Sequence, residues 1–171
     1  MKKMILAGLV AFSLAVAPAF AADVKLGYID MQRALNTSEA GKEAKEQLAA
    51  RVKKYQDEIN SKQDEIKKLK DDLEKQGMLL SESVRAAKEK VYQQKIKEFQ
   101  RFTKDAQDEL QGKDEEFTRK ILESMEKVIQ EYGRKNGYSF IFVRNEGMLY
   151  VDEKADVTDE VLKIFNATRK K

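Results

Sequence analysis

Between Glu39 and Gln76 the apolar positions are Leu48, Val52, Tyr55, Ile59, Ile66, Leu69 and Leu73, with Lys62 and Gln76 in the same series. The steps alternate between four and three residues, and nearly everything between them is Lys, Glu, Asp or Gln. A strict period of about 3.5 residues keeps one narrow apolar stripe facing a partner helix over several heptads, so this segment predicts one strand of a coiled coil. The pattern breaks at Gly77-Met78-Leu79-Leu80-Ser81, where a turn is expected, and Ser81 and Glu82 make a good helix start. A second run carries Val84, Val91, Ile96, Phe99, Phe102, Ala106, Leu110, Phe117, Ile121, Met125, Val128 and Tyr132. From Phe99 onward its seam averages about 3.67 residues per step, nearer an eleven-residue than a seven-residue repeat, and Gly112 is a local weak point. Two long helices joined by a short turn predict an antiparallel hairpin over residues 39–135, with its tip near 76–82. The shorter arm projects on the order of 60 Å at about 1.5 Å per residue.

Such a hairpin is too thin to hold a core and has to be anchored elsewhere. The flanking segments supply the anchor. Val24-Lys25-Leu26-Gly27-Tyr28-Ile29-Asp30 alternates like a strand, and Asn36-Thr37-Ser38-Glu39 supplies cap residues for the first arm. After the second arm, Asn136-Gly137 ends the helix and Tyr138 to Val143 is a β-rich apolar run. Arg144-Asn145-Glu146-Gly147 then turns, and Met148 to Val151 is expected to return as its hairpin partner. Thr158-Asp159-Glu160 is expected to cap a short amphipathic helix carrying Val161, Leu162, Ile164 and Phe165. The fold class is therefore α+β and predominantly α: a long helical hairpin on a small β-rich head made of 22–38 and 136–171.

A head of about 53 residues with no cysteines is marginal alone, because small domains bury too small a fraction of their surface. Its run Phe140-Ile141-Phe142-Val143 is apolar on both faces and needs cover on each side, which one short helix cannot give. Heads are therefore expected to associate through Val24, Leu26, Tyr28, Phe140, Phe142 and Val143.

The first residues change the picture of where the chain works. Lys2 and Lys3 precede an uncharged run from Met4 to Ala17 and then Ala19-Phe20-Ala21. An apolar run of about 14 residues is short of the ~20 that span a bilayer, and the A-x-A triplet suits signal peptidase. Residues 1–21 are expected to be a signal peptide cleaved after Ala21, and the mature protein is expected to be exported. The chain has 33 basic and 30 acidic residues, so without Lys2 and Lys3 the balance is 31 against 30. A field that would gather nucleic acid by bulk electrostatics is absent. With no His and no Cys, imidazole and thiol chemistry and the usual structural zinc sites are excluded. Paired carboxylates such as Asp71-Asp72 and Glu115-Glu116 read as solvated helix surface, so no enzyme, metal or cofactor is expected.

The segments Gly27 to Leu35 and Tyr138 to Val151, followed by Asp156-Val157-Thr158-Asp159-Glu160-Val161, resemble the Skp/OmpH-like periplasmic chaperone family. The resemblance covers essentially the whole mature chain, in order. It implies a homotrimer with a shared β body, in which three helical hairpins surround a cavity that holds unfolded outer-membrane β-barrel proteins without ATP. The near-neutral mature chain departs from the strongly basic balance common among relatives, so membrane or lipopolysaccharide contact is left without assigned residues. For client contact the candidates are Met78, Leu79 and Leu80 at the tip and Phe99 and Phe102 on the second arm. A holdase needs adaptable apolar groups on a polar surface, although the same residues also suit closure and packing of the hairpin seam. The competing reading is a coiled-coil envelope adaptor or spacer, for which a regular seam running to the tip would be expected.

Overall fold

The computed structural model describes residues 24–76 and 79–169. The expected signal segment and Met78 lie outside the described residues. Among the described residues four α-helices, one short 3-10 turn and two strands follow in the order β1 (Leu26–Ile29), α1 (Met31–Thr37), α2 (Glu39–Gln76), α3 (Glu82–Lys135), β2 (Phe140–Val143), a 3-10 turn (Glu153–Ala155) and α4 (Thr158–Thr168).

The two long helices form the hairpin that the heptads anticipate. Along α2 most seam residues are half-buried, while Val52, Val84 and Val91 stay exposed and burial is complete only at Ala106 and toward the base at Ile121, Met125 and Val128, as befits a two-helix arm with no third layer. Charges set the direction of pairing. Near the base Arg51 Nη1 of α2 lies 3.0 Å from Glu109 Oε1 of α3, whereas farther out the signs are exchanged and Lys95 Nζ of α3 lies 2.9 Å from Glu65 Oε1 of α2. Tyr55 adds a phenolic hydrogen bond to Glu109 Oε2 at 2.5 Å. Sliding the arms past one another would separate these opposite-sign pairs, so they favour this register.

The strands pair in parallel, with Leu26 opposite Phe140, Gly27 opposite Ile141, Tyr28 opposite Phe142 and Ile29 opposite Val143. One face, carrying Ile29 and Ile141, packs on the core. That core is Ile29, Ala34, Ala40, Ile121, Met125, Val128, Val157, Val161 and Phe165. Three of these belong to the last turns of α3, so the head is built as much on the base of the arm as on the flanking segments. Helix α3 stops at Asn136, and Gly137 takes φ 69°, the left-handed C-terminal cap that glycine adopts at no steric cost.

Several expectations need correction. Met148–Val151 is not a strand and does not pair with β2, whose one hydrogen-bonded neighbour among the described residues is β1. The 144–147 turn does form, closed by Gly147 N–H to Asn145 Oδ1 at 2.9 Å and Met148 N–H to Asn145 O at 3.0 Å. The chain beyond it then runs toward the far side of β1, where Val157 N–H donates to Tyr28 O at 2.9 Å. The stretch after Asp30 is a full short helix, α1, because the Asp30 carboxylate accepts from Arg33 N–H at 2.8 Å and starts it. Ser81 precedes α3 without a side-chain cap bond, its hydroxyl meeting Ser83 instead. The first amide of α4 is served from two residues before the expected cap: Asp156 Oδ1 accepts from Thr158 N–H at 2.8 Å.

Candidate functional site

Alternation along the two strands gives the head an apolar outer surface. Residues opposite one another in a parallel ladder project to the same face, so Leu26, Phe140 and Phe142 stand together on the side away from the core. Leu26 is 51% exposed, Phe140 57% and Phe142 47%, and the two phenylalanine rings stack with centroids 5.8 Å apart. Val24 precedes β1 and is also exposed. Tyr28 shares their parity but not their environment. The segment returning to β1 covers it, leaving it 5% exposed, and burial followed by the nearby Asp156 carboxylate pushes its phenol pKa up. Five of the six expected association residues thus remain on the surface, and Tyr28 is spent inside its own chain.

Val143 belongs to the other face and lines a groove of about 870 Å³ beside the free edge of β2. Ile29, Met31, Leu122, Ile129 and Ile141 complete its apolar floor, with Glu115, Glu123 and Glu126 among the acids on its rim. The sequence reading missed this groove. Its signal was the pair Leu122 and Ile129, seven residues apart on α3 and off the seam formed by Ile121, Met125 and Val128.

On the arm, Leu79 stands 86% exposed at the turn, and Leu80 is half-buried. Phe102 is engaged within the hairpin: its ring meets Tyr55 edge-on at 5.9 Å, and Lys62 Nζ sits 4.9 Å from its centroid. Phe99 is half-buried one turn away. The structure therefore gathers Phe102 into the seam and separates it from the exposed tip by roughly half the length of the arm.

The family model described as outer membrane protein (OmpH-like) matches residues 25–165. The chain belongs to the OmpH-like family. Among solved structures, it is similar to a candidate outer membrane chaperone (OmpH-like) from Caulobacter crescentus CB15, with 16% identity, 85% of each chain covered and a TM-score of 0.79. That likeness establishes the fold, helical hairpin and small sheet together. No curated protein sequence matches the chain.

In this OmpH-like chain the two flanking segments that make the head are tied together by a polar knot around Thr158, which is fully buried. Thr158 Oγ1 accepts from Asp30 N–H at 2.9 Å and donates to the Asp156 carboxylate, and Arg33 Nη2 reaches Asp156 Oδ2 at 2.9 Å. Burial pushes the Asp156 carboxyl up, but the Thr158 hydrogen bonds and the Arg33 charge outweigh it and hold its pKa below the ordinary value. At the root of the arm, Asn166 Oδ1 accepts from Glu39 N–H at 3.1 Å, and Arg169 Nη2 pairs with Glu43 Oε2 at 2.7 Å. These contacts fix where α2 leaves the head.

Proposed function

We propose that this protein is an ATP-independent holdase chaperone of the periplasm that binds unfolded outer-membrane β-barrel proteins between its helical arms before they insert. The observation that carries the reading is the division of the molecule. An arm of roughly 60 Å has no core of its own and ends in an exposed leucine, and it stands on a head whose outer sheet face is bare and apolar. The head face provides assembly, for which three copies are proposed, and arms held side by side enclose a space. A soluble, highly charged arm bearing scattered apolar groups binds many sequences weakly and keeps a client from aggregating. Membership of the OmpH-like family supports a chaperone role, and residues 1–21 read as a signal peptide support export. We assign the protein no catalytic step.

Sedimentation velocity of residues 22–171, alone and mixed with a porin diluted from urea, tests the reading. A soluble complex of defined stoichiometry is expected. Pelleted porin beside an unchanged chaperone species would overturn it and leave the envelope spacer as the better description.

A further inference from the structure

Of the five asparagines in the sequence, Asn136 alone is followed by glycine. An asparagine side-chain amide is an electrophile, and the backbone nitrogen of the next residue is the nucleophile that can reach it and close a five-membered imide. Glycine in that next position has no β-carbon to hinder the approach and leaves the chain free to turn. Asn136 and Gly137 are both exposed, and no described atom lies within 4 Å of a β-carbon built at Gly137, so water reaches the pair from an open side.

The cap that ends α3 holds this peptide, but loosely at the atom that matters. Tyr138 N–H donates to Gly133 O at 2.9 Å and Gly137 N–H to Arg134 O at 3.4 Å, the paired bonds of a Schellman cap, and Asn136 Nδ2 donates back to Tyr132 O at 2.8 Å. The bond that restrains the nucleophile, from Gly137, is the long one, beyond the usual range of about 2.7–3.2 Å. The chain after it is anchored, since Ser139 N–H donates to Lys25 O at 2.8 Å. Bringing Gly137 N to Asn136 Cγ therefore needs only Asn136 to swing out of its ψ of 8° at the fraying end of a helix.

Lys25 supplies the chemistry. Its ammonium donates to Asn136 O at 3.0 Å and is held there over the Tyr138 ring, 4.1 Å from the centroid. Asn136 O is the carbonyl oxygen conjugated with Gly137 N. When that nitrogen loses its proton, the negative charge spreads onto this oxygen, where a cation already sits, so Lys25 stabilises the anion that attacks.

We propose that Asn136–Gly137 is a self-modification site of the folded protein, at which Asn136 deamidates through a cyclic imide and Lys25 activates the attacking Gly137 nitrogen. Gly137 N yields its proton to hydroxide, its electron pair forms a bond to Asn136 Cγ, and the Cγ–Nδ2 bond breaks to release ammonia. Water then opens the imide at either carbonyl and leaves aspartate or isoaspartate. One water is consumed and one ammonia released, with no change of oxidation state. The product loses the Asn136 Nδ2 bond to Tyr132 O and carries a carboxylate at the negative end of the α3 dipole. As isoaspartate it also lengthens the main chain between α3 and β2 by one atom, so the junction of arm and head loosens irreversibly.

Heavy-oxygen water reads the reaction, because only an imide opened during the incubation takes up the label. Mature protein, residues 22–171, is kept folded in mildly alkaline buffer made with that water, and a second sample is kept in the same buffer with urea. Both are then acidified and cut briefly with trypsin. Cleavage after Lys135 and Arg144 gives a fragment whose one side-chain amide is Asn136. Labelled fragment in two chromatographic forms is expected from the folded sample, with the fragments that carry Asn60 and Asn145 unlabelled. An unlabelled fragment from folded protein once the urea sample has converted overturns the proposal, because the cap then protects the peptide. Lys25→Gln is expected to slow labelling severalfold in folded protein and to leave it unchanged in urea, whereas Lys25→Arg keeps the cation and the rate. Labelling as fast or faster in folded Lys25→Gln overturns the activating role and leaves Lys25 as a brace of the cap.

Discussion

The carbonyl oxygen of Leu35 occupies the place where a β-carbon at Gly41 would lie. Helix α1 ends at Thr37 and α2 begins at Glu39, and the corner between them is tightened by Ser38, whose hydroxyl donates to Leu35 O at 3.1 Å and accepts from Gly41 N–H at 3.0 Å. Ser38 is fully buried and Gly41 is buried with it, so the backbone has no room to yield. Gly41→Ala is expected to cost about 2–3 kcal/mol, the upper range for overpacking, and to lower the urea midpoint at unchanged slope. A midpoint equal to that of the unaltered protein would show that the corner relaxes freely.

Thr158 is the second position where one atom matters. Thr158→Val keeps the shape but leaves Asp30 N–H without its acceptor, and an unsatisfied buried donor costs about 1–3 kcal/mol. Thr158→Ser keeps the hydroxyl and is expected to lose less. Chemical unfolding of the two variants side by side checks this, and equal losses would mean that the methyl packing, not the hydrogen bond, is what the head requires.

Gly112 presents the opposite case. Nothing lies within 4 Å of a β-carbon built there, and the residue is exposed in the interior of α3. No contact requires glycine, so Gly112→Ala is expected to stabilise the helix by about 0.5–1 kcal/mol. Amide hydrogen exchange in the surrounding turns should slow, while the head amides stay as they were.

The arms should loosen at alkaline pH. The hydrogen bond to Glu109, reinforced by burial, raises the Tyr55 phenol above its ordinary 10.0, and the hydrogen bond and charge of Glu65 raise the Lys95 ammonium above 10.5. A folded-state pKa above the unfolded value gives stabilisation that is fully present below the unfolded pKa and lost as pH rises through the folded one. Both cross-arm contacts therefore fade above about pH 10. Glu116 behaves oppositely: Lys113 and Lys120 lower it to about 2, so its contribution is present above 4.5 and is lost as pH falls toward 2. Helical signal followed from pH 7 to 11 in the unaltered protein and in Tyr55→Phe reads the alkaline effect. The variant should begin weaker and change less, and parallel curves would assign the loss to other groups.

Much of this molecule was legible in one dimension. Heptad steps from Leu48 to Leu73, the break after Gln76 and the apolar run at Phe140 determined a hairpin of about the observed length and a strand at the observed place, because seam packing depends on residues close in sequence. Tertiary structure alone decided what the strand pairs with. The turn chemistry of Arg144-Asn145-Glu146-Gly147 favoured a local hairpin, but Ile29 and Ile141 had to face one core, and only the parallel pairing of β1 with β2 places both against α3. That choice buried Tyr28, exposed Leu149 and Tyr150, and opened the groove over Leu122. Contacts between residues more than a hundred positions apart carry no periodicity that a sequence displays, so the arm could be read from the chain and the pairing of the head's two strands could not.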